Sequence, residues 1–277
     1  MENIEIKTPA KINIGLNIIN KRPDGYHNLE SIFYPVNLFD IINMGLSDKL
    51  SIDSNNSGLV KENDNSVIKA VNIMEKESGK VLKVRIYLEK NIPIGAGMGG
   101  GSSDGASALL ALNELFDLKF NHQKLRELSL QIGSDAPYFI NPVPSVVRSR
   151  GESLKEIKFN IPCPVLIINP GIHISTKWAY ENLTKHSGEK LISSIPDLDN
   201  IDILKLKDIL TNDFEEVVFS SYPEIKDIKN RLYDLAAIFA LMTGSGSTVY
   251  GIFPDLASAE KAKNNFPENY FKFIHLV

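Results

Sequence analysis

Pro93-Ile94-Gly95-Ala96-Gly97-Met98-Gly99-Gly100-Gly101-Ser102-Ser103-Asp104 runs straight into an Ala/Leu-rich segment, Gly105 to Phe116. Five glycines within the seven positions from Gly95 to Gly101 remove side chains, so backbone N–H groups can turn toward one point and approach it closely. Ser102, Ser103 or Asp104 is expected to cap the helix that follows, whose positive end faces the same point. Such an arrangement binds anions, phosphate foremost. The plain alternative is a loose Gly-rich linker, but a linker would not end abruptly in a capped apolar helix.

Two standard phosphate scaffolds do not fit this loop. A Walker A loop needs a lysine directly after its last glycine, and no lysine occurs from Ile92 to Leu118. Gly95, Gly97 and Gly100 satisfy G-x-G-x-x-G, yet the dinucleotide fold also requires a second strand ending in an acidic residue about 20 positions on. A second helical pattern, Asn121 to Ile132, occupies that place.

The 277 residues, 43% hydrophobic and 23% charged, suffice for one large or two medium domains. A net charge of −4 argues against nonspecific nucleic-acid binding, and Lys21-Arg22, Arg148 and Arg150 read as solvated charges. The single cysteine, Cys163, forms no intrachain disulfide, and no Cys/His spacing resembles a zinc site. This composition suits a reducing cytoplasm. The N-terminus lacks the apolar core of a signal peptide, and no apolar run is long enough to span a bilayer. A soluble cytoplasmic protein is expected, without nucleic-acid or membrane partners, as a monomer or weak homodimer.

In chain order, Ile4 to Ile52 reads as β-rich, with Asp24-Gly25 as a hairpin signal. Along the first strand Lys11, Asn13, Gly15 and Asn17 share one polar face. They read either as an exposed strand edge or as the lining of a cleft. Ser66 to Ser78 reads as a helix ended by Gly79, Val81 to Glu89 as a strand leading to the glycine loop, and Val146 to Gly151 and Ser153 to Lys158 as short strands. Asp135 in Gly133-Ser134-Asp135-Ala136-Pro137 could cap a short turn.

From Pro164 the order is a strand (Val165 to Ile168), a helix (Thr176 to Leu183), helices around Ile203 to Leu210 and Glu224 to Leu235, and a strand (Ile238 to Met242). Then come Thr243-Gly244-Ser245-Gly246-Ser247-Thr248, a strand (Val249 to Phe253), a helix (Leu256 to Phe266) and a strand (Tyr270 to Leu276). Without the inserted helices this is β-α-β-β-α-β, the ferredoxin-like arrangement. The expected class is therefore α+β, with domains over residues 1–160 and 161–277. The Gly244-Ser245-Gly246 turn reads either as a plain hairpin or as a polar ligand loop.

Taken together, Pro9-Ala10-Lys11-Ile12-Asn13, the Pro93 to Ser103 loop and Thr243-Gly244-Ser245-Gly246-Ser247 resemble the GHMP kinase superfamily, whose members include homoserine, mevalonate and galactose kinases. Arg22-Pro23-Asp24-Gly25-Tyr26-His27 and Ser134-Asp135-Ala136-Pro137-Tyr138-Phe139 are most similar to the branch that phosphorylates a cytidine-diphosphate-linked methylerythritol, in the non-mevalonate route to isoprenoid precursors. The resemblance spans nearly the whole chain, and Asp-Gly-Tyr-His is its most specific element. It implies a ribosomal-protein-S5-domain-2-like N-terminal domain, a ferredoxin-like C-terminal domain, and transfer of the γ-phosphoryl group of ATP with Mg2+.

By the same resemblance, Pro93, Ile94, Gly95, Ala96, Gly97, Met98, Gly99, Gly100, Gly101, Ser102 and Ser103 wrap the ATP phosphates. Lys11 and Asp135 match the catalytic pair, Tyr26 and His27 the residues that recognise cytosine, and Tyr180 an aromatic on the other side of the base. Asn13 and Thr176 match polar positions lining the substrate site. Phosphoryl transfer passes through a loose transition state, so alignment and charge neutralisation matter more than strong basicity. One departure is local: Ile140-Asn141-Pro142-Val143-Pro144-Ser145 stands where relatives carry small residues, and two prolines remove two N–H donors there. The other readings are a homoserine- or mevalonate-type kinase, and a non-catalytic nucleotide-binding regulator of the same fold.

Overall fold

Two long strands, β1 (Asn3–Lys21) and β2 (His27–Leu46), pair with each other and open the chain. The computed structural model describes residues 3–56, 58, 65–183, 186–188, 192, 195, 207 and 209–276. It divides into two compact units. The first comprises Met1–Ala10, Leu38–Ile92 and Gly99–Pro142, and the second Lys11–Asn37, Pro93–Met98 and Val143–Val277.

In the first unit, β4 (Val84–Glu89) lies antiparallel to the second half of β2, with Ile41 opposite Glu89 and Leu46 opposite Val84. β3 (Ser51–Ser54) runs parallel to β4 on its other side. Val84, Ile86 and Leu88 are buried while Arg85 and Tyr87 are exposed, the alternation of a strand covered on one face. Helix α1 (Ser66–Ser78) starts as Asn65 Oδ1 accepts from Val67 N at 2.9 Å, and it stops at Gly79 in the left-handed region. Helix α2 (Gly100–Leu115) packs on α1: a Cβ on Gly105 would stand 2.7 Å from Ile132 and 3.1 Å from the Ser66 carbonyl. Helix α3 (His122–Ser129), capped by the Asn121 side chain, and a 3-10 turn (Ala136–Ile140) complete the unit.

In the second unit the first half of β2 pairs with β5 (Ser145–Ser149), which pairs with β6 (Ser153–Glu156). The C-terminal portion holds a four-stranded sheet in the order β10-β7-β9-β8, formed by β7 (Val165–Asn169), β8 (Phe239–Met242), β9 (Val249–Ile252) and β10 (Phe271–His275). All its pairings are antiparallel. Helices α4 (Thr176–Glu181), α6 (Pro223–Asp234) and α7 (Leu256–Lys263) fall between these strands as the β-α-β-β-α-β reading requires. Helix α5 (Phe214–Ser221) adds to that reading, since a segment with Phe214 and Val218 as its only buried side chains has little periodic signal. Most of the helix expected over Ile203 to Leu210 lies outside the described residues.

The sequence-based class is therefore observed: an α+β protein with a ferredoxin-like C-terminal sheet. Arg22, Arg148 and Arg150 keep 31%, 34% and 29% of their side chains exposed, in keeping with solvated charges, and each is also paired. Arg148 pairs with Glu30 at 3.0 Å, a carboxylate only 1% exposed, and Arg22 pairs with Asp24 at 2.9 Å. No helix among the described residues is long and apolar enough to cross a membrane.

Candidate functional site

The glycine loop is anchored, not slack. Ala96 and Met98 are 3% and 1% exposed, while the glycines on either side of each, Gly95, Gly97 and Gly99, all have positive φ. Buried side chains thus alternate with left-handed glycines along the loop. Gly97 is required twice over. Its φ is 77°, and a Cβ there would collide with the Thr243 carbonyl.

The expected cap is corrected. Helix α2 begins at Gly100, its N-cap is Gly99 with φ 73°, and no side chain caps it. Ser102, Ser103 and Asp104 lie inside its first turns. The reason is conformational: Gly99 in the left-handed region turns the chain into the helix without a capping hydroxyl. The opening N–H groups, which have no acceptor within the helix, are thereby left without a competing side-chain oxygen. Ser103 Oγ is buried and has no hydrogen-bond partner. An uncapped N-terminus with an unused buried hydroxyl is the electrostatic form of an anion site.

On β1 every residue from Ala10 to Ile18 is buried. The exposed-edge reading of Lys11 is thereby excluded: Lys11 is 3% exposed, Asn13 2% and Asn17 0%. The Lys11 ammonium donates to Asn13 Oδ1 at 2.6 Å and stands 4.5 Å from the centre of the Phe33 ring. Its backbone N–H donates to the Met98 carbonyl at 3.0 Å, tying β1 to the glycine loop. Thr243 adds a second tie. Its hydroxyl accepts from Asn13 N–H at 3.0 Å and stands 3.2 Å from the Gly97 carbonyl. The Gly244 turn does join the adjacent strands β8 and β9, and it also packs on the glycine loop. A Cβ on Gly244 would stand 2.9 Å from the Gly97 Cα. Thr176 lies at the first position of α4, 3.0 Å from the Ser245 hydroxyl.

In the first unit Asp135 precedes the 3-10 turn but makes no side-chain cap hydrogen bond to it. The capping role is therefore not what holds this aspartate. Ser102 lies close to the turn before it: a Cβ on Gly133 would stand 3.4 Å from the Ser102 hydroxyl.

Tyr26, His27 and Tyr180 all belong to the second unit. His27, 9% exposed, stacks on Tyr180 with centroids 4.7 Å apart and planes at 15°. Tyr180 meets Phe214 edge-on at 4.9 Å, and His186 lies tilted against His27 at 5.6 Å. Burial, then the nearby charges of His186 and Lys21, hold the His27 pKa below its ordinary value. Tyr26 stays 52% exposed, with the Arg150 guanidinium 4.7 Å from its ring centre. Thr176 and Tyr180, four residues apart, share one face of α4.

Four further groups support these residues and were not singled out in the sequence. Lys90 sits between Asp40 and Asp104 and connects the entry of the glycine loop to the start of α2. Asp40 also accepts from the N–H groups of Asn91 and Ile92, at 2.6 and 2.8 Å. Asp213 accepts from Ile18 N and from the N–H and hydroxyl of Ser187, which fixes His186 beside His27. Thr243 was read within its loop motif, without a partner of its own. A hydrophobic pattern carries no signal for such pairs.

The fold and the anchored loop define a small-molecule kinase of the GHMP class. The family model described as GHMP kinases N terminal domain matches residues 65–141, and that described as GHMP kinases C terminal matches residues 194–272. Curated relatives named 4-diphosphocytidyl-2-C-methyl-D-erythritol kinase are 36% identical. The one from Chlorobium chlorochromatii aligns with 96% of this chain and 94% of its own, and the one from Geotalea daltonii with 100% and 99%. A crystal structure of 4-(cytidine 5′-diphospho)-2C-methyl-D-erythritol kinase superposes with a TM-score of 0.82 at 28% identity, over 98% of both chains. Mevalonate kinase from Methanococcus jannaschii, 14% identical with a TM-score of 0.76 over 100% and 99%, shares the fold. The chain belongs to the 4-diphosphocytidyl-2-C-methyl-D-erythritol kinase family.

Proposed function

We propose that the protein transfers the γ-phosphoryl group of ATP to the 2-hydroxyl of 4-diphosphocytidyl-2-C-methyl-D-erythritol, a step in the non-mevalonate supply of isoprenoid precursors. The observation that carries the substrate assignment is the aromatic group at the end of β1 and start of β2. His27 lies stacked on Tyr180 while the adjacent Tyr26 keeps an open face. Aromatic faces hold a base by stacking, and a buried neutral imidazole, with one donor and one acceptor, discriminates among base edges.

Residues Pro93 to Ser103 bind the ATP phosphates through backbone N–H groups, and the α2 dipole offsets their charge. The Asp135 carboxylate accepts the hydroxyl proton, and the Lys11 ammonium steadies charge on the attacking oxygen. Asn13 and Thr176 line the substrate site. Ser102 or Ser103 is the residue that fits Mg2+, given the unused buried hydroxyl of Ser103. Among the described residues no group of three or more His, Cys, Asp or Glu could hold a metal ion. Nucleotide phosphates would complete the coordination of an ion held there. When bound, the ion neutralises charge between the phosphates.

The domain division is read as 1–160 and 161–277, and the two family matches, 65–141 and 194–272, each fall within one of these segments. We place the protein in the cytoplasm, as a monomer or weak homodimer. Phosphorus NMR of a mixture of enzyme, ATP, Mg2+ and the cytidyl substrate tests the reading. A new phosphomonoester signal on the cytidyl compound is expected, and ATP left intact would overturn it.

A further inference from the structure

Tyr26 stands at the tip of a hairpin with 52% of its surface exposed, a setting in which a tyrosine ring ordinarily samples several rotamers. Here both ends of the residue are held. Its N–H donates to Asp24 Oδ1 at 3.2 Å, and Asp24 is gripped in turn by Arg22 at 2.9 Å. The ring is covered on one face by the Arg150 guanidinium, whose carbon lies 4.7 Å from the ring centre.

Arg150 is itself fixed. It sits between Ser149 at φ 61° and Gly151 at φ 125°, in the turn that joins β5 to β6. Glu152 accepts from its backbone N–H at 2.7 Å and from its guanidinium Nε at 3.4 Å, so one carboxylate holds both the main chain and the side chain of the arginine. A cation fixed behind an aromatic ring stabilises one ring orientation. Ordering the ring before a ligand arrives lowers the entropy lost on binding.

We infer that Arg150 is a positioning residue for pyrimidine recognition: it presents Tyr26 as a preformed stacking face and acts through that ring without contacting the base. The inference rests on the reading of Tyr26 as a cytosine-stacking residue. A guanidinium suits this role better than an ammonium because its plane can lie parallel to the ring.

A double-mutant cycle on the full-length enzyme tests it, with steady-state kinetics and calorimetric binding of the cytidyl substrate as readouts. Arg150→Ala should raise the KM and Kd for that substrate about two- to fivefold, the size of an exposed cation–π contact. KM for ATP and kcat should stay unchanged. Arg150→Lys should recover part of the loss, and in a Tyr26→Ala background Arg150→Ala should add nothing. An unchanged thermal midpoint for Arg150→Ala shows that the fold is intact. An equal loss with and without Tyr26, a loss confined to ATP, or no loss at all would overturn the inference while leaving the kinase assignment standing. Absence of cytidyl-substrate binding by the unaltered enzyme would instead overturn the assignment, and the inference with it.

Discussion

The Lys90 ammonium lies 2.7 Å from Asp104 Oδ2, in the first turns of the helix that follows the glycine loop, and also pairs with Asp40. Side-chain exposures of 7%, 3% and 0% place all three charges out of water. Thr8 donates to the other oxygen of Asp104 at 2.8 Å, and two backbone N–H groups donate to Asp40. The cluster thus fastens the chain just before the glycine loop to the helix just after it.

Removing either carboxylate leaves Lys90 paired with the other, so the loss depends on what else that carboxylate holds. Asp40→Ala deprives the N–H groups of Asn91 and Ile92 of their acceptor and should destabilise the protein by about 1–3 kcal/mol for each. Asp104→Asn leaves one carboxylate opposite one ammonium and should cost clearly less. Urea unfolding of the two variants checks the order, and equal losses would count against it.

The same cluster sets a pH dependence. Burial, only partly countered by Lys90, together with repulsion from Asp40, pushes the Asp104 pKa up to about 6. The folded pKa lies above the unfolded value of about 3.9, so the folded state holds more protons between these two values. The contribution is fully present below about pH 4 and is lost as pH rises through 6. Stability measured across this window should carry a falling term on the order of 1–3 kcal/mol, at 1.36 kcal/mol per pKa unit. Asp104→Asn should lack it. Identical pH slopes in the two proteins would contradict the assignment.

Gly97→Ala should weaken nucleotide binding more than it weakens the fold. The methyl meets the Thr243 carbonyl, and the residue must keep a φ of 77°. A strained left-handed alanine costs about 1–2 kcal/mol, before any movement of the loop. KM for ATP should rise at least tenfold with a small drop in thermal midpoint. A variant with normal KM for ATP would show that the loop does not bind phosphate.

Recognition of the base should fail in acid. The His27 pKa is lowered, chiefly by burial, so the imidazole is neutral at pH 7 and becomes charged only below its ordinary value of about 6.5. The charged ring has two donors and no acceptor. KM for the cytidyl substrate should therefore climb below pH 6, and His27→Gln should flatten that rise. A pH profile of KM identical in wild type and variant would remove His27 from base recognition.

Much of the fold was legible because it depends on local periodicity. The switch from alternating to helical spacing placed β7 to β10, and the cap at Gly79 and the Asn121 N-cap fixed helix ends to within a few residues. The glycine loop and the helix behind it were legible from composition alone. What failed depended on distant partners or on backbone conformation. Gly99 as N-cap is silent in a propensity reading, which favours the serines behind it as the cap. Thr8 and Asp104 are 96 positions apart, and Thr243 and Asn13 are 230 apart, distances over which no pattern reports contact. The pairing of Arg148 was silent because its partner, Glu30, lies 118 residues away on another strand.

The proposed reaction is phosphorylation of the cytidyl-linked methylerythritol with Asp135 as the base. ADP release with ATP, Mg2+ and a panel of that compound, homoserine and mevalonate tests it most directly, for wild type and Asp135→Asn. Turnover is expected with the cytidyl compound only, falling by at least a hundredfold in the variant. Turnover of homoserine or mevalonate in its place, or an unimpaired Asp135→Asn enzyme, would contradict the account.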